Sequence, residues 1–136
     1  MSKFERIADQ NNDASLRRAV RAARSLLKQG QLRDELFPSG PFADPSWFIL
    51  LDLFVAQFEG REVSVSSACI ASRAATSTAL RHLNRLEEAG HVVRRGDPED
   101  ARRDFVTISM QAHTALSRVL FARAGDASRA AGPERI

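Results

Sequence analysis

The stretch from Ala74 to Ser109 reads AATSTALRHLNRLEEAGHVVRRGDPEDARRDFVTIS. Its first part has the apolar spacing of a short amphipathic helix, which carries arginines and small polar residues but no acid before Glu87. The helical pattern stops at Gly90, and an apolar strand, an acidic turn and a second strand follow it. A helix that runs into a β-hairpin with a charged tip is the layout of a winged helix, which proteins use mostly to bind DNA.

The outward face of this helix, from about Thr76 to Ala89, carries groups that suit nucleic acid. With Leu83 at the centre of the buried face, the helical rotation points Arg81 and Arg85 away from the core. An arginine fork can donate two hydrogen bonds to a guanine edge or to a phosphate. The remaining polar residues on or beside this face are Ser77, Thr78, His82 and Asn84, and Glu88 also points outward at the far end, where the helix should leave the groove. For this helix alone, an ordinary solvated face is the alternative interpretation.

The hairpin that follows favours the DNA interpretation. Residues 91–95 and 103–108 read as two strands, and Asp97-Pro98 marks a turn between them. Asp100 precedes Arg102 by two residues, a spacing at which an acid can hold the base of the hairpin while the arginine projects. An arginine on a hairpin tip fits a narrow minor groove with strong negative potential. A solvated turn would also explain the tip by itself.

The distribution of charge separates this region from the rest of the chain. The net charge of +3 barely favours nucleic acid by itself. The segment from Arg73 to Leu86 holds three arginines and one histidine but no acid, whereas Pro45 to Ala71 holds one arginine against three acids. The second segment therefore reads as scaffold, and we expect double-stranded DNA as the partner of the first.

At 136 residues, the chain is long enough for one domain of mainly α-helical structure with a small β-hairpin. Asp44 is expected to cap a central helix, and Gly60 is expected to end it. The expected elements, in chain order, are a loose arm (1–13), an amphipathic helix (14–37), a break at Pro38-Ser39-Gly40-Pro41, a buried central helix (46–59), a short strand near Val63, a third helix (66–72), the helix and hairpin described above, a last helix capped by Ser109, and a frayed tail from Gly125.

Several classes of function are disfavoured by the sequence. The single cysteine, Cys69, cannot form an internal disulfide, and on a short helix between Ala68 and Ile70 we expect an inert, buried thiol. The histidines have no metal-ligand spacing and no second cysteine to complete a zinc site, so no metal and no other cofactor is expected. The chain has no glycine-rich phosphate loop and no nucleophile placed near a base, so we expect no enzymatic activity.

The cellular location follows from two further features. The longest uncharged apolar run, Trp47 to Leu51, falls far short of the ~20 residues that a membrane span requires. Met1-Ser2-Lys3 leads into charged sequence without the apolar segment of a secretory signal. We therefore expect a cytoplasmic protein with no membrane partner.

The segment from Ser66 to Ser109 resembles the winged helix-turn-helix of the multiple-antibiotic-resistance regulators, the MarR family. The similarity lies in the helix end RLEEAG, the strand VVRR and the wing DPEDARRDFVTIS. In that family the wing carries Asp, one residue, then Arg, followed by a strand that ends in Leu-Thr. The corresponding residues here are Asp100, Arg102, Ile108 and Ser109. Outside this segment the resemblance is generic, because helices merely occur in the right order.

The resemblance implies a transcription regulator that binds a pseudo-palindromic DNA site as a homodimer, with a recognition helix in the major groove and a wing in the minor groove. The chain would divide into an N-terminal arm and dimerisation helix (1–44), a winged helix-turn-helix (45–109), and a C-terminal helix and tail (110–136). The residues expected at the DNA are Ser77, Thr78, Arg81, His82, Arg85, Arg95, Arg102 and Arg103. A winged helix kept for protein–protein contact, without specific DNA binding, is the alternative function.

Two groups of residues outside the winged segment have two interpretations each. The basic stripe on the first helix is either a solvated face or a contact for phosphate or an acidic partner. The aromatic residues between 37 and 58 either pack in the core or line a cleft for a small aromatic effector, which many members of the MarR family bind. The stripe comprises Arg17, Arg21, Arg24 and Lys28, and the aromatic group comprises Phe37, Phe42, Trp47, Phe48, Phe54 and Phe58.

Three departures from the family pattern affect these expectations. Arg73 stands where the turn usually has glycine, so it either occupies a different turn or accepts a strain of about 1 kcal/mol or more while it reaches a phosphate. His91 stands where a leucine usually packs the wing. Only one helix follows the hairpin, so we expect the apolar faces of 16–27 and 112–120 to form the dimer interface, with the first supplying most of the area.

Overall fold

A computed structural model describes the backbone of residues 3–37 and 44–130 and the side chains of residues 13–37 and 44–125. Within these ranges the helices and strands occur in an order typical of a winged helix with flanking helices. They are α1 (Lys3–Leu36), α2 (Pro45–Glu59), β1 (Val63–Ser64), α3 (Val65–Ala71), α4 (Thr76–Glu88), β2 (Val92–Asp97), β3 (Asp100–Ile108) and α5 (Met110–Ala130). The mainly α fold with a small antiparallel sheet is confirmed.

The helix α2 lies at the centre of the core, as its nearly continuous apolar sequence predicts. The buried residues of α2 include Phe48, Ile49, Leu51, Leu53, Phe54, Val55 and Ala56. The helix begins at Pro45 and ends at Gly60, whose φ of 70° is the left-handed conformation that glycine adopts without strain. Asp44 occupies the expected cap position, but its side chain makes no capping hydrogen bond. The predicted position of the N-cap is therefore confirmed, but the predicted hydrogen bond from its side chain to the helix does not form.

The sheet has the order β1-β3-β2, with both pairs antiparallel. The register places Val92 opposite Ile108 and Arg94 opposite Val106. Because side chains alternate across a strand, Val92, Val106 and Ile108 point to one face and are buried against the helices. Both strands are longer than the sequence predicts, so the turn between them shrinks to Pro98-Glu99.

The helices α3 and α4 form the helix-turn-helix. The Ser72 hydroxyl, buried in the turn, donates to the Cys69 carbonyl over 2.5 Å and accepts from the Ala74 amide over 3.2 Å. The next residue, Arg73, has a φ of 64°. It therefore does occupy the strained turn position that glycine fills in the MarR family.

Two terminal predictions were wrong. Residues 1–13 were expected to form a loose arm, but α1 already begins at Lys3, because residues 3–13 contain no proline or glycine to stop a helix. The tail was expected to fray from Gly125, but α5 continues to Ala130, because this segment is rich in alanine and one glycine inside a helix costs only about 1 kcal/mol. The predicted break at 38–41 and the end of the tail lie outside the described residues.

The helices α1 and α5 pack against each other. The side chains of Ala19, Val20 and Ala23 on α1 are buried, as are those of Leu116 and Leu120 on α5. Much of the apolar area that the sequence assigns to a dimer interface is therefore covered within the chain, because each of the two faces is the nearest apolar surface available to the other. Ser109 caps α5 as predicted, since its hydroxyl accepts from the Ala112 amide over 3.1 Å.

Among the described residues, no helix is both long enough and apolar enough to cross a bilayer.

Gly30 of α1 makes a close contact with α2 that can be tested. A methyl group at Gly30 would lie 2.6 Å from two ring carbons of the buried Phe48, so either this ring or the two helices would have to move. We expect Gly30→Ala to destabilise the fold by about 1–3 kcal/mol in urea unfolding, because overpacking outweighs the gain in helix propensity.

Gly125→Ala is the matched control, because no atom lies within 4 Å of the added methyl group. It should stabilise the fold by roughly 0.5–1 kcal/mol through helix propensity alone. Equal stability changes in the two variants would contradict the close contact between α1 and α2.

Candidate nucleic-acid interface

The helix α4 presents a polar face because it buries only a narrow apolar one. Ala79, Leu83 and Leu86 are buried, and the first turn of the helix contains no acid. Ser77, Arg81 and Arg85 are exposed on the other side, and Thr78 is half-buried. The Arg81 guanidinium donates to the Thr78 hydroxyl over 3.4 Å. Arg85 has no ion-pair partner among the described residues, so its donors are open to solvent.

His82 differs from the other predicted contact residues of α4. It is half-buried, and its Nδ1 shares a hydrogen bond of 2.8 Å with the Ser46 hydroxyl at the start of α2. This contact fixes α4 to the core. A DNA contact through His82 therefore stays a prediction, and it would have to use the other ring nitrogen.

Arg94 connects α4 to the hairpin, and this connection was not predicted from the sequence. Its guanidinium donates to the Asn84 side-chain oxygen over 3.0 Å and lies 3.4 Å from the Glu87 carboxylate. It also lies 4.0 Å from the Asp104 carboxylate of β3. Strand alternation offered the signal, because a residue two positions after the buried Val92 must point toward the helices.

The tip of the wing is held by its own acids. One oxygen of the Asp97 carboxylate accepts from the Glu99 amide over 2.9 Å, and the other accepts from Nε and Nη2 of Arg103 over 3.1 and 3.0 Å. The Asp100 carboxylate accepts from the Arg102 amide over 3.0 Å and from its Nε over 3.2 Å. The side chain of Arg102 nevertheless remains 91% exposed, whereas that of Asp97 is only 6% exposed.

These hydrogen bonds lower the pKa of both acids. The Glu99 amide is the largest cause for Asp97, and the Arg103 guanidinium adds to it. The Arg102 amide is the largest cause for Asp100, followed by the Arg102 guanidinium. Each contact is thus fully formed at neutral pH, and it is lost only when the pH falls through the lowered pKa.

Arg95 and Arg103, both predicted to contact DNA, are held on the outer face of the hairpin. Their guanidinium carbons lie 5.1 and 5.0 Å from the centre of the Phe105 ring, within the range of cation–π contacts. Arg95 also pairs with Glu62 at 3.2 Å, and Arg103 pairs with Asp97. Sequence reasoning could not find these pairings, because they depend on the register of the strands. Contact of either arginine with DNA stays a prediction.

Arg73 does not extend freely from its strained turn. Its Nε donates to the Asp34 carboxylate near the end of α1. Of the two alternatives for this residue, the strained turn is correct, and its side chain joins the helix-turn-helix to α1. A phosphate would have to compete with Asp34 for this guanidinium.

Cys69 is buried, as predicted. Its side chain belongs to the core, and desolvation raises the pKa of the thiol, with a smaller opposing effect from Arg94. The reactive thiolate form is therefore disfavoured. Among the described residues, no three side chains of the types that bind metals lie close enough together to hold an ion.

The aromatic residues between 37 and 58 do not share one environment. Phe48 and Phe54 are buried in the core, Trp47 is half-buried, and Phe37 and Phe58 are exposed. Core packing is thus the correct interpretation for Phe48 and Phe54. Phe42 lies outside the described residues.

The comparisons with known proteins agree with this geometry at the level of the fold. The sequence matches no known family model and no curated protein. Among solved structures, S. aureus MepR in its DNA-binding conformation is 14% identical, covers 81% of this chain and 78% of its own, and superposes with a TM-score of 0.53. A mutant of S. aureus MepR bound to an oligodeoxyribonucleotide is 14% identical, with coverage of 96% and 82% and a TM-score of 0.52.

The order of the helices, the small antiparallel sheet and these superpositions together define a winged-helix fold. A further mutant of S. aureus MepR gives a TM-score of 0.54 at 16% identity, over 76% of this chain and 73% of its own. The fold is therefore the winged-helix fold of the MarR type, as the sequence resemblance predicted. At these identities the likeness establishes the fold alone.

Replacing Arg102 and Arg103 one at a time tests the hydrogen bonds that these residues make with Asp100 and Asp97. We expect Arg103→Gln to raise the pKa of Asp97 and Arg102→Gln to raise mainly that of Asp100, because each substitution removes the cation that stabilises that carboxylate. Carboxyl titration by NMR measures both values in each variant. In the wild type, both should titrate below the ordinary 3.8. An unchanged Asp97 pKa in Arg103→Gln would show that this contact does not form in solution.

Proposed function

We propose that this protein is a sequence-specific DNA-binding transcription regulator that acts as a homodimer on a pseudo-palindromic site. In this proposal α4 enters the major groove and the wing contacts the adjacent minor groove. The observation that carries the proposal is that an exposed face of α4 with no acid before Glu87 occurs together with an exposed arginine at a hydrogen-bonded wing tip.

The residues of α4 divide into reading and positioning groups. Arg81 and Arg85 are exposed and pair with no acid among the described residues, so they can donate to base edges without breaking an ion pair seen there. Ser77 and Thr78 lie in the first turn, where a hydroxyl and the helix N-terminus both favour phosphate. His82 and Arg94 act behind them, the first against Ser46 and the second against Asn84.

The wing supports the proposal through the rigidity of its tip. A flexible arginine would lose conformational entropy on entering a groove, whereas the backbone around Arg102 is already fixed by Asp97 and Asp100. Arg95 and Arg103 are stacked on Phe105 and paired with acids. We assign both to contacts with phosphates at the edge of the site: a phosphate can displace the exposed Glu62 from Arg95, whereas Arg103 would keep Asp97 and use its remaining donor.

A dimer requires apolar surface that the chain does not already cover. Val119 and Phe121 of α5 are 54% and 46% exposed, and Leu32 and Leu36 near the end of α1 are exposed as well. We propose that these residues, which flank the buried faces of α1 and α5 rather than belong to them, supply apolar area to an interface between two copies. Two half-sites about one helical turn apart, ~34 Å, would then be read by two α4 helices.

A small aromatic effector would have a groove available between α1 and α5. This groove has a volume of about 670 Å³, within the range of ligand pockets. Leu16, Ala19 and Phe121 give it an apolar wall, while His113 and Arg118 add polar groups. Burial lowers the pKa of His113, which favours its neutral ring, and one face of this ring already stacks on Phe54 with the ring centres 4.7 Å apart.

Substitutions on α4 and substitutions on the wing should have different effects on DNA binding. We expect Arg81→Gln and Arg85→Gln each to weaken specific binding by ~1–3 kcal/mol and to relax preference at particular base pairs, because base-edge contacts are lost. Arg102→Gln should weaken binding to all sequences, because one contact near the DNA phosphates is lost. It should also reduce the slope of log affinity against log salt concentration by about 1. Fluorescence anisotropy at several salt concentrations measures both quantities.

Arg17→Gln is the control, because it removes the same charge from an exposed position on α1 that pairs with Asp13. Wild-type affinity and slope are expected for it. If the three interface variants bound the upstream region of the gene as tightly as this control, specific DNA binding by this surface would be refuted, and a winged helix for protein contact would be the better interpretation.

Charged substitutions on α5 test the dimer. Val119→Asp together with Phe121→Asp should give monomers in analytical ultracentrifugation and sharply lower affinity for a palindromic site, because a carboxylate in an interface core has no partner. Val93→Asp, on the outer face of the hairpin where the side chain is 52% exposed, is the control for sedimentation alone, which it should leave as in the wild type. A wild-type protein that sediments as a monomer would contradict the homodimer directly.

A further inference from the structure

A second groove between α1 and α5 is basic. It has a volume of about 550 Å³ and small or polar residues along its walls. Three arginines line it, two from α1 and one from α5. The lining residues are Arg18, Arg21, Ala22, Ser25, Gln29, Arg123 and Ala124.

The positive charge of this groove is not neutralised by the described side chains. The neighbouring arginines of α1 are paired, since Arg17 lies 3.0 Å from Asp13 and Arg24 lies 2.9 Å from Glu59. Arg18 and Arg21 have no such partner within the described ranges. The nearest polar contact across the groove is the 3.5 Å hydrogen bond from Arg123 to the Gln29 side-chain oxygen, which carries no charge.

This arrangement differs from an ordinary solvated helix face. Arg18 and Arg21 are three residues apart on α1, a spacing at which like charges repel. Their groups lie across a concave surface from Arg123, which adds a third positive charge and concentrates the potential between the helices. Ser25 and Gln29 add uncharged hydrogen-bonding groups to the same groove.

From these observations we infer that the groove between α1 and α5 binds a small soluble polyanion with phosphate groups. Arginine forks donate two parallel hydrogen bonds to phosphate oxygens, and a phosphate-bearing molecule would relieve the repulsion between the guanidinium groups. The volume is that of a small-molecule site. A second copy of this chain is a poor occupant, because charged residues are depleted at interface cores and both surfaces would be basic.

Inorganic tripolyphosphate is the probe that tests this site. Isothermal titration calorimetry at constant ionic strength should show saturable binding to the wild-type protein, since matched salt removes general screening effects. The double substitution Arg18→Gln/Arg21→Gln should weaken this binding by roughly tenfold or more, because two charge-assisted hydrogen bonds at exposed positions are removed. Unfolding in urea checks that the variant is folded.

Arg81→Gln/Arg85→Gln is the matched control, because it removes two arginines from one exposed face of α4 in the same way. It should retain wild-type affinity for tripolyphosphate while its DNA binding falls, and the groove variant should show the opposite. Equal weakening in both doubles, or no saturable binding to the wild type, would overturn the inference. A wild-type protein that bound tripolyphosphate but no DNA would count against the regulator proposal and leave this site intact.

Discussion

The orientation of α4 depends on a narrow apolar face that only three residues form. Ala79, Leu83 and Leu86 are buried against the core, and each of the two leucines contributes roughly 1.5–3 kcal/mol through burial. Because this face is narrow, the opposite side of the helix lies in solvent, while Thr78, Leu80 and His82 are half-buried. The same packing that stabilises the fold therefore also presents Arg81 and Arg85 outward, and no separate device is needed to expose them.

The hairpin is held relative to α4 by electrostatic contacts. Arg94 joins Asn84 and Glu87 of α4 to Asp104 of β3, and its side chain is only 26% exposed. Such a half-buried arginine interacts more strongly than a surface pair, since solvent screens it less. The wing tip, pinned by its own aspartates, thus keeps a fixed relation to the helix that we propose to read the DNA.

Pairing with acids separates the arginines of this chain into structural and available groups. Arg73, Arg94 and Arg95 contact carboxylates outside their own element, and Arg103 contacts Asp97 across the turn of its own hairpin. Arg85 has no acidic partner among the described side chains, and Arg102 contacts only the neighbouring Asp100 while it remains exposed. Arginine content alone would not distinguish these roles, because the distinction arises from contacts between distant segments.

The sequence was sufficient for features that depend on local rules. The period of Ala79, Leu83 and Leu86 predicted the buried face of α4, and Gly60 predicted the end of α2. Features that depend on tertiary contact were beyond it: the bond of His82 to Ser46 joins residues 36 positions apart, and that of Arg73 to Asp34 spans 39. The packing of α1 on α5 was missed for the same reason, since an apolar face does not specify which surface covers it.

The central claim is that the outward face of α4 and the wing tip lie together on DNA, and directed cleavage tests it most directly. An iron–EDTA group would be attached to Ser77→Cys or Arg102→Cys in a Cys69→Ala background, with Arg118→Cys on α5 as the control position. On a duplex from the gene's upstream region, both interface positions should cut the DNA at adjacent grooves of one site, and the control should not. Cleavage from position 118 with none from positions 77 and 102, in proteins that still bind the duplex, would contradict the account.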